Sequence, residues 1–334
     1  MFARFRDENA LMDPGSGMPG TVHVRAGSAE PDSGKPDQDV FHTLMLESGR
    51  RLAWAEFGHR HGYPILYMHR QGGSRLEALF LHDAAEAAGF RLISVDRPGL
   101  GGSDFFAFDD PAALAEDYIQ LMDQLNLPQV AVLSWGGGSR FALALASQFP
   151  SRVSFLNLLS PLERGCALAK NRVFGFVFRS AVRMMLTLRS VRVAKDESRY
   201  LRRWREQVCY ADRKLMDDPK VSSLLARIAR ESISQGAAGL AQDIWIGLAA
   251  SGVDLSVLPM PVHVWNGSAD TISRPKAVGA DEESLNCAGT TSGIVRHWVH
   301  RQGHLFFSHA AGDIFSVARR IVGISLGGVY PLHR

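Results

Sequence analysis

Polar side chains follow the apolar runs of this sequence at several points. His69 follows the run PILYM, Asp96 follows RLISV, and Ser134 stands near the end of QVAVLSW. Nearly continuous apolar runs of this length are typical of buried parallel strands, whose carboxyl ends carry functional residues. Farther along, Asp270 follows the run PVHVW, and His304 follows GIVRHWV. An imidazole with an unperturbed pKa of about 6.5 can accept a proton near neutral pH, and a neighbouring carboxylate can orient it, so these residue types offer general-base chemistry.

The elements that would position these residues alternate between strands and helices. Eight short apolar runs predict strands at 43–47, 51–58, 64–69, 91–96, 129–133, 153–159, 261–265 and 293–299. Helix-like segments lie at 79–88, 111–125, 139–148 and 309–321. This alternation predicts an α/β fold with a doubly wound, mainly parallel sheet and a ligand site at the carboxyl ends of its strands.

The domain organisation follows from where this alternation stops. Residues 1–40 are rich in Gly, Pro, Ser and Asp and lack periodic apolar positions, which predicts a flexible leader. The predicted core comprises 41–160 and 256–334. Residues 161–255 contain helix-like sequence without a convincing strand, so we expect a helical lid inserted after the sixth strand. Five large apolar lid residues are expected to line the pocket: Phe174, Phe176, Phe178, Met184 and Met185.

Five segments resemble motifs of the α/β-hydrolase superfamily and occur in that family's order. They are YMHRQGGSR (67–75), SVDRPGLGGSD (94–104), VAVLSWGGGSRFALALASQFPSRV (130–153), GSADTISRP (267–275) and RQGHLFF (301–307). The resemblance spans most of the chain and implies the α/β-hydrolase fold, with Asp270 as the acid and His304 as the base of a hydrolytic triad. His297 and His300, on or just after the last predicted strand, are interpreted as structural or solvent-facing.

The nucleophile of this family stands on a sharp strand-to-helix turn with small flanking residues. Either Gly136 takes this seat, between Ser134 and Gly138, or Ser134 is a displaced nucleophile between Val132 and Gly136. The β-branched Val132 would crowd the second arrangement. Only the first aligns GGGSRFALALA without a gap to the family's SGGGPYALALA and keeps the distance to Pro150. We favour Gly136 in the nucleophile seat and retain Ser134 as the alternative.

The loop after the third predicted strand also departs from the family pattern, because Arg70 stands where the family has glycine. The resemblance implies that backbone N–H groups of Gln71 and Gly137 form the oxyanion hole, since such donors do not depend on side-chain identity. Arg70 brings a positive charge that could bind a carboxylate or phosphate, or face solvent. His69, Arg70 and Trp135 are the expected substrate contacts.

A dyad without its serine remains a general base but forms no acyl-enzyme. The primary hypothesis is therefore non-covalent chemistry on a small, largely apolar substrate, as a lyase, cyclase, isomerase or oxygenase, or by hydrolysis with activated water. One alternative is an ester, thioester or amide hydrolase that uses Ser134. Another is a catalytically silent homologue that binds a small molecule or a partner. An engineered replacement of a native serine by glycine would explain Gly136. It would not explain why Ser134 and Arg70 also differ from the family pattern.

Composition bears on cofactors, partners and location. GLGGSD lacks the spacing of a dinucleotide fingerprint, and Cys166, Cys209 and Cys287 form no CxxC pair, so we expect no cofactor and no metal site. The formal net charge of +3 gives no reason to expect nucleic acid. Residues 163–230 hold 17 Lys/Arg against 7 Asp/Glu, which indicates a solvated helical face or attraction for an anionic substrate or acidic carrier protein. Without a secretion signal or bilayer-length apolar run, we expect a cytoplasmic protein and no membrane partner.

Overall fold

The computed structural model of the protein describes residues 22–25, 41–162, 180–181, 184–185, 188, 197–249, 255–273 and 293–323. The strands of its central sheet are β1 (Val22–Arg25), β2 (Phe41–Met45), β3 (Arg51–Gly58), β4 (Tyr63–Met68), β5 (Phe90–Val95), β6 (Val130–Trp135), β7 (Val153–Leu159), β8 (Val262–Gly267) and β9 (Ile294–Val299). They form one nine-stranded sheet in the order β1-β2-β3-β5-β4-β6-β7-β8-β9. The eight predicted strands correspond to β2 through β9.

Most neighbouring strands in the sheet are parallel. The parallel pairs are β4 with β5 and β6, β6 with β7, β7 with β8, and β8 with β9. The β1–β2, β2–β3 and β3–β5 pairs are antiparallel. The predicted doubly wound, mainly parallel sheet is therefore confirmed. The prediction of a flexible leader is wrong for Val22–Arg25, because these residues pair with Phe41–Leu44 as an added edge strand.

The α-helices of the described residues are α1 (His82–Ala88), α2 (Ala115–Gln124), α3 (Ser139–Gln148), α4 (Glu197–Gln207), α5 (Tyr210–Met216), α6 (Pro219–Ser232), α7 (Ala238–Ala249) and, after the last strand, α8 (Phe307–Val322). Helices α4 to α7 lie between β7 and β8, which confirms the predicted helical insertion after the sixth of the predicted strands. Local capping explains where some helices begin: the Asp218 carboxylate accepts a hydrogen bond from Lys220 N, with Pro219 at the first helical position. In the described part of the chain, no helix combines the length and apolarity needed to cross a bilayer.

The two faces of the sheet bury separate hydrophobic layers, and β6 shows how one strand supplies both. Val130 and Val132 pack in the layer that contains Phe141 of α3, whereas Leu133 and Trp135 pack in the layer that contains α8. This alternation follows from the two-residue period of side chains along a strand. Because both faces are covered, β6 is apolar along nearly its whole length, and its carboxyl end opens at the edge of the sheet.

The expected apolar lining of the lid is corrected at two positions. Met184 is 67% exposed and Met185 is 49% exposed, so neither side chain lines a buried pocket. Their predicted role came from residue type alone, which does not specify the direction in which a side chain points. Phe174, Phe176 and Phe178 lie outside the described residues.

A pair of histidines joins the last two strands. His297 Nε2 lies 2.9 Å from His263 Nδ1, and the His297 ring stacks on Trp265 at a centroid distance of 3.8 Å. Burial, followed by the charges of His263 and Arg320, lowers the pKa of His297 to about 4. The contacts agree with the structural interpretation of His297, while His300 is exposed just beyond β9.

The free energy of unfolding is expected to decrease as pH falls from about 6.5 towards 4. Folded His297 binds its proton more weakly than the unfolded chain does, so its contribution is complete above the unfolded pKa and is lost as pH falls. Allowing for the partial exposure of the ring, we expect His297 to account for about 1–2 kcal/mol of this decrease in the free energy of unfolding. Urea unfolding at pH 7.5 and 4.5 should show a smaller difference between the two pH values in His297→Gln than in the parent. The control His300→Gln should retain the parent's difference, and an unchanged difference in His297→Gln would contradict this assignment.

Candidate active site

His304 and Asp270 form a buried pair between the loops that follow β9 and β8. His304 Nδ1 donates to Asp270 Oδ2 at 2.9 Å, and both residues are buried. With Nδ1 donating to the carboxylate, Nε2 is the ring nitrogen left to accept a proton. The structure thus brings together the two residues expected to act as base and acid, although they are 34 positions apart in the sequence.

Asp270 is held as a carboxylate by a full set of donors. Besides His304, its Oδ2 accepts hydrogen bonds from the hydroxyls of Ser160 and Ser273, both at 2.7 Å. Its Oδ1 accepts from the backbone N–H groups of Ile272 at 2.8 Å and Ser273 at 3.1 Å. Burial raises the pKa of Asp270, but the hydrogen bond and charge of His304, with the two serine hydroxyls, outweigh it and hold the pKa well below its ordinary value. The aspartate therefore stays ionised and orients the imidazole.

Gly136 occupies the turn between β6 and α3, directly opposite His304. Its φ of +54° lies in the left-handed region that glycine adopts without strain. A Cβ built at Gly136 would lie 3.7 Å from His304 Nε2 and 3.4 Å from Arg70 Cβ. A hydroxyl one bond beyond that Cβ would be within hydrogen-bonding reach of the imidazole. The position has the backbone conformation and the histidine contact that a nucleophile at this turn would need.

Ser134 lies two residues earlier, inside β6. Its backbone is in register with Met68 on one side and Leu158 on the other, and the residue is fully buried. Among the described residues, its hydroxyl has no hydrogen-bond partner, so no hydrogen bond connects it to His304. This placement resembles a small strand residue below the turn more than an activated nucleophile.

Gln71 and Gly137, the expected oxyanion donors, lie side by side. A Cβ on Gly137 would collide with the Gln71 side chain, and a Cβ on Gly247 of α7 would collide with the Gln71 amide. Both positions therefore require glycine unless Gln71 moves. This close packing brings the loop after β4 against the start of the turn before α3.

Arg70 is engaged inside the protein, which corrects the expectation that it could face solvent. Its Nε lies 3.1 Å from Glu77 Oε1, and its backbone N–H donates to Glu77 Oε2 at 2.8 Å. The guanidinium also lies over the rings of Trp204, at 4.6 Å, and Trp135, at 5.4 Å. Burial raises the pKa of Glu77 to about 7, even though the charge of Arg70 acts in the opposite direction. Arg70 thus compensates a buried carboxyl next to the Gly136 turn.

The expectation that His69 binds substrate is not supported by its contacts. Its Nδ1 donates to the Arg70 carbonyl at 2.9 Å, and its Nε2 accepts from Arg97 N at 3.3 Å. Burial, followed by the charge of Arg97, keeps the pKa of His69 well below its ordinary value, so the ring is neutral. Trp135 is also fully buried, with its ring centroid 5.3 Å from that of His304 and 4.6 Å from that of Phe307. Both side chains are buried against other residues of the protein, and their contact with a substrate stays a prediction.

Several polar residues around the site were not predicted from the sequence. Ser160 and Ser273 contact Asp270, and two lid aspartates, Asp212 and Asp243, reach the core loops. Ser160 gives one local signal, since it immediately follows an apolar strand. The lid aspartates give none, because an acidic residue in a helix is usually on the solvent-facing side. Within the described residues, no group of three or more His, Cys, Asp or Glu side chains could hold a metal ion.

Asp243 ties α7 to the loop that carries Gln71. Its carboxylate forms an ion pair with Arg97, with Nε 2.7 Å from Oδ1, and accepts a hydrogen bond from Gly72 N at 2.8 Å. The same Arg97 donates to the carbonyl of His69 at 2.6 Å and to that of Arg70 at 2.8 Å. The loop is thereby held on both sides of Gln71.

Comparisons with known proteins agree with this architecture. The sequence profile described as alpha/beta hydrolase fold matches residues 63–288, more than half of the chain. One curated relative, the dihydrolipoyllysine-residue acetyltransferase component of an acetoin cleaving system from Pseudomonas putida, is 33% identical over 130 residues, which cover 39% of this chain and 35% of that protein. The chain thus spans only about a third of that relative's length.

Solved structures match over a larger share of the fold. A hydrolase from Pseudomonas aeruginosa superposes with a TM-score of 0.63 at 19% identity, covering 85% of this chain and 98% of its own. A thermophilic esterase from Thermogutta terrifontis gives a TM-score of 0.61, also at 19% identity and with the same coverage. The profile match shows that the chain belongs to the α/β-hydrolase fold family, and the solved structures and the sheet topology agree with that fold.

Proposed function

We propose that this protein is a hydrolase that cleaves an ester, thioester or amide by direct attack of water, without an acyl-enzyme. The observation that carries the proposal is the geometry at Gly136, where a Cβ would lie 3.7 Å from His304 Nε2. Glycine has no side chain, so the space between the turn and His304 is free. A water molecule can therefore occupy the place that a serine hydroxyl would take. His304 and Asp270 then act on the water instead of on a side chain.

The reaction would begin with proton transfer from this water to His304 Nε2. The water oxygen forms a bond to the carbonyl carbon of the substrate, and the carbonyl electrons move onto its oxygen. Asp270, whose pKa is held low, stabilises the imidazolium through the 2.9 Å contact with Nδ1. The anionic oxygen would be stabilised by the backbone N–H groups of Gln71 and Gly137. Collapse of this intermediate breaks the bond to the leaving group, which takes the proton back from His304.

Hydrolysis is favoured over a lyase or isomerase reaction by the kind of protein this chain resembles. The relatives named above include a hydrolase and an esterase, and the dyad needs no further group to activate water. A silent binding protein would have no use for an aspartate held by five hydrogen bonds against a buried histidine. The displaced nucleophile Ser134 is less well supported because its hydroxyl is fully buried in β6.

The substrate we propose is a small acyl compound. Arg70 is already paired with Glu77, so recognition of an anionic group would have to use other residues. Arg202 and Arg203 on α4 are exposed parts of the basic stretch. Their charge is compatible with a solvated face, an anionic substrate or an acidic carrier protein, and the last two remain predictions.

Ester turnover without covalent labelling is the expected result of the primary test. The parent should hydrolyse short-chain p-nitrophenyl esters without a pre-steady-state burst and without reacting with a fluorophosphonate probe, because no activated serine is present. Ser134→Ala should retain the parent's kcat/KM within about twofold, since Ser134 takes no part in the reaction. Labelling of the parent that is lost in Ser134→Ala would instead identify Ser134 as the nucleophile.

A further inference from the structure

Asp212 is a buried carboxylate in the lid that the proposed mechanism does not use. It lies in α5 and is 0% exposed, although removing a carboxylate from water is costly unless its oxygens are well partnered. The lid covers the strand ends, so an aspartate buried there can contact either the substrate or the loops of the core. Its hydrogen bonds show that it contacts a loop.

Both oxygens of Asp212 bind the backbone of the loop that carries the proposed base. Oδ2 accepts from His304 N at 2.8 Å, and Oδ1 accepts from Leu305 N at 2.9 Å. A Cβ on Gly303 would collide with the Asp212 carboxyl, so this approach requires glycine just before the histidine. The carboxylate thus clamps two consecutive N–H groups, a charge-assisted arrangement stronger than two neutral hydrogen bonds.

This clamp holds the backbone of His304, from which the imidazole projects. The backbone of His304 is held by Asp212 and its side chain by Asp270, so the two aspartates restrain the residue from opposite ends. We infer that Asp212 is a positioning residue, through which the lid fixes His304 Nε2 over the Gly136 turn. The catalytic part of this inference rests on the proposed function, whereas the restraint of the loop does not.

A second contact between the lid and the core, away from the histidine loop, provides the control. Glu231 in α6 forms an ion pair with Arg75 of the core, with Oε1 2.6 Å from the guanidinium. Glu231→Gln weakens attachment of the lid without touching the histidine loop. If Asp212 only attached the lid, its loss and the loss of Glu231 should have the same consequences.

The test compares Asp212→Asn with the parent and with Glu231→Gln. Asparagine retains the volume but offers one acceptor and turns an N–H group towards the second backbone donor, so one hydrogen bond is lost. Amide hydrogen exchange at His304 and Leu305 should become about 10-fold faster or more, while exchange in β6 stays unchanged. The kcat for p-nitrophenyl esters should fall about 10- to 100-fold with little change in KM, because a displaced base slows the chemical step. Glu231→Gln should change neither quantity.

The two measurements separate the possible failures. Unchanged exchange at His304 and Leu305 would overturn the inference whether or not the parent turns over esters. Faster exchange with unchanged kcat would show that the restraint has no catalytic consequence and would also overturn it. An inactive parent would contradict the proposed function, while hydrogen exchange would still decide whether Asp212 restrains the loop. If Asp212→Asn fails to fold, the shorter Asp212→Ser, which keeps one acceptor, is measured in the same way.

Discussion

Gly136→Ser is expected to gain rapid fluorophosphonate labelling and a burst of p-nitrophenol that the parent lacks. The new Cβ would lie 3.7 Å from His304 Nε2, which puts the hydroxyl within hydrogen-bonding reach of a base already oriented by Asp270. Such a serine would be activated and would form an acyl-enzyme. Covalent labelling should therefore rise from background to near one probe per protein, as measured by intact-protein mass spectrometry.

Gly136→Ser is expected to strain the backbone, so its control variant must introduce the same strain. At φ +54° a residue with a Cβ is strained by about 1–2 kcal/mol, while the Cβ itself would only be in van der Waals contact with Arg70 Cβ at 3.4 Å. Gly136→Ala has the same cost without the hydroxyl, so it should show the same decrease in the free energy of unfolding and no labelling. It should also hydrolyse esters more slowly than the parent, because its methyl group lies one bond length from the proposed water position and crowds the water out. A Gly136→Ser protein that stays unlabelled although folded would mean that His304 does not face this seat.

His304→Ala is expected to lower kcat/KM for p-nitrophenyl esters by about 10²- to 10⁴-fold, the range typical of a lost general base. No other described side chain is paired with Asp270 in a way that could replace the imidazole. Circular dichroism and thermal unfolding should show that the fold persists. The residual rate should rise when imidazole is added to the buffer, since a small base can enter the space left by the side chain.

A second histidine close in sequence serves as the control for this variant. His309 lies on the exposed side of α8, and His309→Ala should retain the kcat/KM of the parent. A parent-like rate in His304→Ala would exclude His304 as the base. Loss of activity in both variants, with intact folding, would point to a general effect on α8 rather than to the loss of a base.

The secondary structure was largely predictable because its signals are local. Strands such as β6 are continuous apolar runs, and the helices of the lid carry their own periodicity and capping residues, including Asp218 before Pro219. The edge strand β1 was missed because the alternation of Val22 and Val24 with His23 and Arg25 is too short to predict a strand within a polar leader. They become a strand by pairing with β2, a contact between segments that the local sequence does not encode.

The candidate site was predictable to the extent that motifs and their order identify it. Asp270 and His304 were expected as partners, and they are. The roles of His69 and Arg70 were not predictable, because both depend on buried neighbours contributed by other segments, Arg97 and Glu77. Asp212 was missed for the same reason: only the packing of the lid turns an ordinary helical aspartate into a clamp on the histidine loop.

Gly136 shows which conclusions follow from the sequence and which need the tertiary structure. The sequence predicts that Gly136 takes the family's nucleophile position, and it leaves Ser134 as a competing nucleophile. Three-dimensional packing distinguishes them by placement: Ser134 lies within a strand buried on both sides, while Gly136 lies at a left-handed turn facing His304. Backbone conformation and contacts with loops distant in sequence make that difference, since neither is specified by the residues LSWGGG alone.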